Sequence, residues 1–380
     1  MALTWWEAER VLQGLLGSVA AKAHFPAHHP IRVESTQHIG HLTSNGEDSD
    51  TRIPGSLPDI FKLFNPDLIG YSPGNGNHDD VTLNQSVLRA KADALPELAE
   101  KLVTSLKSNM LIDFQKDWKL ITIYLGIADM CAYCTNQEYY SPEKVTLRIK
   151  MALDVLHREV PRAFVNLVEM PNINILHQLS GRATELRGWC ECLVKHHKSA
   201  DMSAQAISWG YWKALQELVY SGTYDKSDDF TVVLQPFLWN MELPLTALQP
   251  NDNISQVLEC TAMIPQLHCP TQKSPYLFTY QNNNYEDSLN VEAWMSSWVD
   301  SGSEVTCTER DPSNTVPVSV HKLRPADIKV IAALGDSITS ANGAASRPGD
   351  LLGVITQYRG LSWSIGGDGN ITTVTTLASK

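Results

Sequence analysis

Residues 328–337 read Ile-Lys-Val-Ile-Ala-Ala-Leu-Gly-Asp-Ser, and this stretch decides the fold. Val330 to Leu334 is a short apolar run without charge, the pattern of a strand covered on both faces. Gly335 allows a tight turn at the strand's carboxyl end, where open α/β sheets place their ligands. Asp336 is placed to orient that turn, and Ser337 to stand at a cleft edge with its hydroxyl exposed. A serine nucleophile also needs an adjacent base, usually histidine, and donors for the developing oxyanion. By itself Gly-Asp-Ser is a weak signal, because such tripeptides also make ordinary turns.

Upstream of this strand the pattern alternates. Asp93 to Leu106 has the spacing of an amphipathic helix with Pro96 early in it. Trp118 to Leu125 is a strand ending at Gly126, and Thr146 to Val160 a helix stopped by Pro161. Ala163 to Met170 is the next strand, Ser203 to Ser221 a long helix closed by Gly222, and Phe230 to Pro236 another strand. This order predicts an α/β fold with a mostly parallel sheet and helices on both faces.

The formal charge of −12 and pI near 5.4 argue against a nucleic-acid partner, which selects clustered Lys and Arg. With 380 residues the chain can bury a full core. No apolar run approaches the roughly 18 residues of a membrane span. The first 25 residues carry Glu7, Glu9 and Arg10 where a signal peptide has a basic start and apolar centre, so they read as an amphipathic helix. His24 to Thr51 is polar and aperiodic, and its histidines lack a metal-binding spacing. Gly74-Asn75-Gly76-Asn77 and Gly366-Gly367-Asp368-Gly369 fit no phosphate-cradling pattern and read as turns.

The seven cysteines are odd in number. Cys131 and Cys134 form a CxxC, Cys190 and Cys192 a CxC, and Cys260, Cys269 and Cys307 follow later. Two further ligands at regular spacing would be needed for zinc, and none is present. A redox CxxC sits at a helix start after a strand, and Cys131 is near such a place. Asn84, Asn253 and Asn370 each begin an Asn-x-Ser/Thr acceptor.

The stretch from His321 to Gly369, with HKLRPADIKVIAALGDSITSANGA followed by RGLSWSIGGDG, resembles the GDSL (SGNH) esterases. Within them it is most similar to the membrane-associated phospholipase B group, and the resemblance runs from about Ser56 to Lys380. That resemblance implies an SGNH-hydrolase-like fold and a serine ester hydrolase that deacylates phospholipids and lysophospholipids, with Ser337 as nucleophile. It implies no metal or organic cofactor, a secretory and apical-membrane setting, and disulfides as the use of the cysteines. No protein partner is identifiable.

Several motif positions depart from the family. Its second block ends in a glycine whose amide serves the oxyanion, and here Asn84-Gln85-Ser86-Val87-Leu88-Arg89-Ala90 puts Arg89 in that slot. Its third block is Gly-x-Asn-Asp, whereas this chain has Gly126-Ile127-Ala128-Asp129 and so loses the asparagine donor. The family's Asp-x-x-His is missing after Phe230 to Phe237, where Leu238 onward resembles the segment that follows the histidine. Asp154 and His157 have the right spacing but lie inside a helix, and His268 and His321 fall in connecting segments. No general base is assigned.

The family's order implies four parts: residues 1–55, an unmatched amino-terminal segment; 56–259, a degenerate repeat lacking its first strand; 260–325, a connection; and 326–380, the truncated start of a second repeat. The expected fold is therefore incomplete and circularly permuted, with Val330 to Leu334 docked beside Leu120 to Leu125 and Ser337 near Gly126. Two functional expectations follow. One is the phospholipase B-type hydrolase; the other is a catalytically inactive lipase-like module, favoured by the missing base and donors.

Overall fold

The computed structural model describes residues 56–72, 83–170, 200–235, 269–282, 307–342 and 356–368. The expectations for the amino-terminal segment, the Gly74 loop, Cys190, Cys192, Cys260, Asn253, His268 and Asn370 lie outside these residues. Five strands form one sheet: β1 (Asn84–Ser86), β2 (Trp118–Tyr124), β3 (Ala163–Val168), β4 (Phe230–Gln235) and β5 (Ile328–Gly335). The spatial order is β1-β5-β2-β3-β4, and every pairing is parallel. The α/β class expected from the alternation is the one observed.

The last strand in sequence is thus second in the sheet. Leu120 stands opposite Ile331 and Ile123 opposite Leu334 on one side of β5, while Asn84 pairs with Ala333 on the other. Ile328 and Val330 to Leu334 are fully buried, as a strand with two neighbours and two covered faces must be. This is the place that the permuted arrangement gives it.

The helices follow from spacing and caps. Along α2 (Leu95–Ser108), Leu95, Leu98, Ala99, Leu102, Val103 and Leu106 recur on one face and are buried. In α4 (Pro142–Glu159) the Ser141 hydroxyl accepts the Lys144 amide and Pro142 opens the first turn. That cap starts the helix one turn before the apolar periodicity at Thr146. α5 (Ala200–Tyr220) packs along α4, which packs along α2. Two short helices complete the described set: α1 (Leu57–Lys62), and α3 (Ile127–Ala132) at the carboxyl end of β2.

Pieces distant in sequence are tied to each other. Cys269 and Cys307 form a disulfide, and Cys131 and Cys134 are also disulfide-bonded, as the resemblance implied. The Leu277 amide donates to Leu323 O and the Val320 amide to Asp228 O, fastening the connection below β4. Asn84 is buried in β1 with Nδ2 donating to Ser72 Oγ at 3.2 Å, so this acceptor motif is not open to glycan attachment in the folded chain.

Candidate active site

The site begins where β5 ends. Gly335 is required by close approach: a Cβ there would come within 2.1 Å of Thr339 Oγ1 and 2.7 Å of Tyr124 O. The chain then turns tightly, with the Asp336 carboxylate accepting the Ile338 amide at 2.9 Å and the Ser340 amide donating to Asp336 O. Ser340 Oγ donates to Ser337 O at 3.0 Å. These bonds fix Ser337 just above the carboxyl edge of the sheet. Its residue is only 6% exposed, so the hydroxyl is more enclosed than the sequence suggests.

A loop from β1 closes over it. The Val87 amide donates to Gly335 O, extending the ladder, and two residues later the Arg89 amide donates to Ser337 Oγ at 3.2 Å. Arg89 makes this approach with φ of 61°, the left-handed region that favours glycine. Two groups hold the loop. Asp129 Oδ2 accepts the Ala92 amide at 2.9 Å. Arg359 forks onto Asn84 O at 3.0 Å and Ser86 O at 2.9 Å, the carbonyls facing away from β5 on this edge strand. Arg359 opens the RGLSWSIGGDG stretch, but its role was not legible there, because it depends on a contact spanning 275 residues.

The left-handed Arg89 carries a prediction. Arg89→Gly removes a backbone penalty of about 1–2 kcal/mol, partly offset by glycine's greater freedom in the unfolded chain. We expect a net gain near 1 kcal/mol in urea unfolding. A loss of stability would show that the arginine side chain contributes packing.

Gly126 and the residues of α3 lie beside the turn, across β2. Gly126 has φ of 132°, and a Cβ on it would overlap the Met170 side chain. Ala128 is half-buried at the start of α3 and offers only a methyl group. Asp129 is buried. Glu169, which the sequence placed in the strand ending at Met170, is buried just past β3. Its signal was a carboxylate closing an apolar run.

Burial sets the charge of this edge. Asp336 is pushed up to about 7, chiefly by burial and further by the nearby Asp129 carboxyl. Burial likewise raises Asp129 to about 6, against the Ala92 amide, and Glu169 to about 7, partly offset by Trp212. A folded pKa above the unfolded one means that the native state holds the extra proton between the two values. Stability from such a group is present at low pH and is lost as pH rises through the folded pKa. Asp336→Asn keeps an acceptor for the Ile338 amide and cannot ionise. Its stability advantage over the natural chain should be near zero at pH 4 and reach a few kcal/mol above pH 7. Thermal melts across that range measure it, and an advantage independent of pH would contradict the assignment.

Neither described histidine reaches Ser337. His157 packs on Phe230 at 4.8 Å, at the amino-terminal end of the sheet, while Asp154 binds Lys150 and the Tyr224 hydroxyl. The Asp154/His157 spacing is therefore a helix-face coincidence, as its position implied. His321 bonds Thr279 Oγ1 through Nδ1 at 2.9 Å, beneath β4, at the end opposite Ser337. Among the described residues no group of His, Cys, Asp and Glu is arranged to hold a metal ion.

The site thus holds a serine after a parallel strand, facing a backbone donor from the neighbouring loop. The profile for "GDSL-like Lipase/Acylhydrolase" matches residues 36–255, more than half of the chain. The chain belongs to the GDSL-like lipase/acylhydrolase family. The matched range reaches back into the amino-terminal segment, holds β1 to β4, and leaves β5 and Ser337 outside it.

Among GDSL-like proteins the chain is 39% identical over 385 positions to "Phospholipase B1, membrane-associated" of Homo sapiens, covering 90% of the chain and 26% of that protein. The proteins of the same name from Mus musculus and Rattus norvegicus are 37% and 36% identical, with the same coverage. The chain thus spans about a quarter of the length of these relatives. The alignment has 385 positions although only 90% of the 380 residues take part, so the human relative carries stretches that this GDSL-like chain lacks. No solved structure matches. None of the described helices is long and apolar enough to cross a membrane.

Proposed function

We propose that this chain is an acyl-ester hydrolase of phospholipase B type, with Ser337 as nucleophile and a phospholipid or lysophospholipid at a membrane surface as substrate. The observation that carries it is the Arg89 amide held on Ser337 Oγ at the carboxyl edge of the sheet. A donor there is placed to bind the oxyanion that forms when a serine attacks an ester carbonyl. Asp336 shapes the nucleophile turn, Gly126 opens the adjoining loop, and Asp129 positions the Arg89 loop through Ala92. The relatives' printed name, a membrane-associated phospholipase, supports the substrate class.

We further propose that residues 56–259 and 326–380 belong to consecutive repeats and complete each other, with 260–325 as the connection. The insertion of β5 between β1 and β2 supports this, as does the profile's omission of β5.

A second reading, a lipase-like module that binds without turnover, is favoured by Ala128 and by the remoteness of both described histidines. Acyl release from a short-chain ester and from a lysophospholipid separates the two. We expect slow release without a burst, abolished by Ser337→Ala. Release that survives this substitution would overturn Ser337 as nucleophile, and no release in the natural chain would leave the binding module.

A further inference from the structure

We infer that Arg89 is a specificity-determining residue that recognises an anionic group, of the phosphodiester class, on the substrate beside the scissile ester. This rests on the reading of Ser337 as the site of ester attack.

The first observation is strain. Arg89 holds a left-handed backbone that glycine would adopt without penalty, and no bend of the chain requires a side chain there. A residue kept in such a conformation at a functional site points to a use for its side chain. The second is position. The Arg89 amide is 3.2 Å from Ser337 Oγ, so one N–Cα bond further places its Cα within about 5 Å of the nucleophile. The residue is exposed to solvent, so its guanidinium is within a side chain's length of the nucleophile and open to a ligand.

The third is that this cation is uncommitted. Lys91 donates to the Tyr140 hydroxyl at 2.7 Å and lies over that ring, and Arg148 lies 3.8 Å from the Tyr139 ring centroid and donates to Tyr139 O. Arg89 makes no such contact among the described residues. Val87, two residues before it, is an exposed apolar side chain on the same loop. An anion joined to an alkyl group matches that pair. A guanidinium also forms forked hydrogen bonds with phosphate oxygens that a neutral ester does not offer.

The test uses the full chain and a probe that needs no turnover. Hexyl methyl phosphate, a phosphodiester anion, and hexyl dimethyl phosphate, its neutral triester, are titrated calorimetrically into the natural chain, Arg89→Gln, Arg89→Lys and Lys91→Gln. We expect the natural chain to prefer the anion by about fivefold, as for a partly exposed ion pair. The preference should vanish in Arg89→Gln, persist in Arg89→Lys and be unaltered in Lys91→Gln. Circular dichroism confirms that each variant is folded.

Equal binding of the two probes by the natural chain, failure to bind either, or a preference that survives Arg89→Gln would each overturn the inference. Labelling of Ser337 by an uncharged fluorophosphonate is measured on the natural chain in parallel. Its absence would overturn the ester-hydrolase reading, while the binding comparison would still decide the role of Arg89.

Discussion

Ala128→Asn is expected to raise kcat/KM for a short-chain ester, by up to about a hundredfold. Ala128 sits at the start of α3, beside the end of β5, and we propose that it occupies the position of the family motif's donor side chain. Removing one donor from an oxyanion site costs roughly 2.7–4 kcal/mol of transition-state stabilisation, so restoring one recovers at most that amount. Ala128 is half-buried in the first turn of the helix, so a longer polar side chain there need not be fully desolvated. Because the gain acts on the transition state, kcat should rise with KM nearly unchanged. A change confined to KM, or none, would show that the asparagine amide does not reach the reacting carbonyl.

The second large effect concerns assembly. Ala332→Asp in β5 should cost at least about 4 kcal/mol and abolish cooperative unfolding, because it buries an unpaired carboxylate on a covered face of the sheet, where Ala332 is fully buried. Ending the chain after Asp327 should be worse still. It strips the β1 and β2 backbones of their shared partner and exposes Leu120, Ile121 and Ile123, all buried in the full chain. Urea denaturation followed by circular dichroism reads both. A shortened chain that still unfolds cooperatively would mean that residues 56–235 form a sheet without β5.

The sequence revealed β5 because its apolar run needs two covered faces. Its position in the sheet required the family's strand order as well, since periodicity does not say which strands pair. β1 was missed as a strand: Asn84-Gln85-Ser86 is polar, and it is extended because Gly335 and Arg359 hold its two edges. Gly335 was read as a turn residue, yet it is demanded by the Tyr124 carbonyl and the Thr339 hydroxyl pressing on its Cα. Lys119 was read within an apolar strand. It is buried, donates to Phe114 O, Asp117 O and Pro161 O, and is lowered to about 8 by burial. The nucleophile turn was legible because local geometry needs local residues. The Arg89 amide was placed at the site only through the family's motif order, and the Arg359 contact was not legible, because each joins segments more than 200 residues apart.

The central claim is that the last strand completes the sheet and thereby presents Ser337, the proposed nucleophile, to the Arg89 amide. Reaction of the full chain with an uncharged fluorophosphonate, read by intact mass and peptide mapping, tests it most directly. The account predicts a single adduct on Ser337 that disappears in Ser337→Ala while circular dichroism is unchanged. No adduct, or one on another residue, would contradict it.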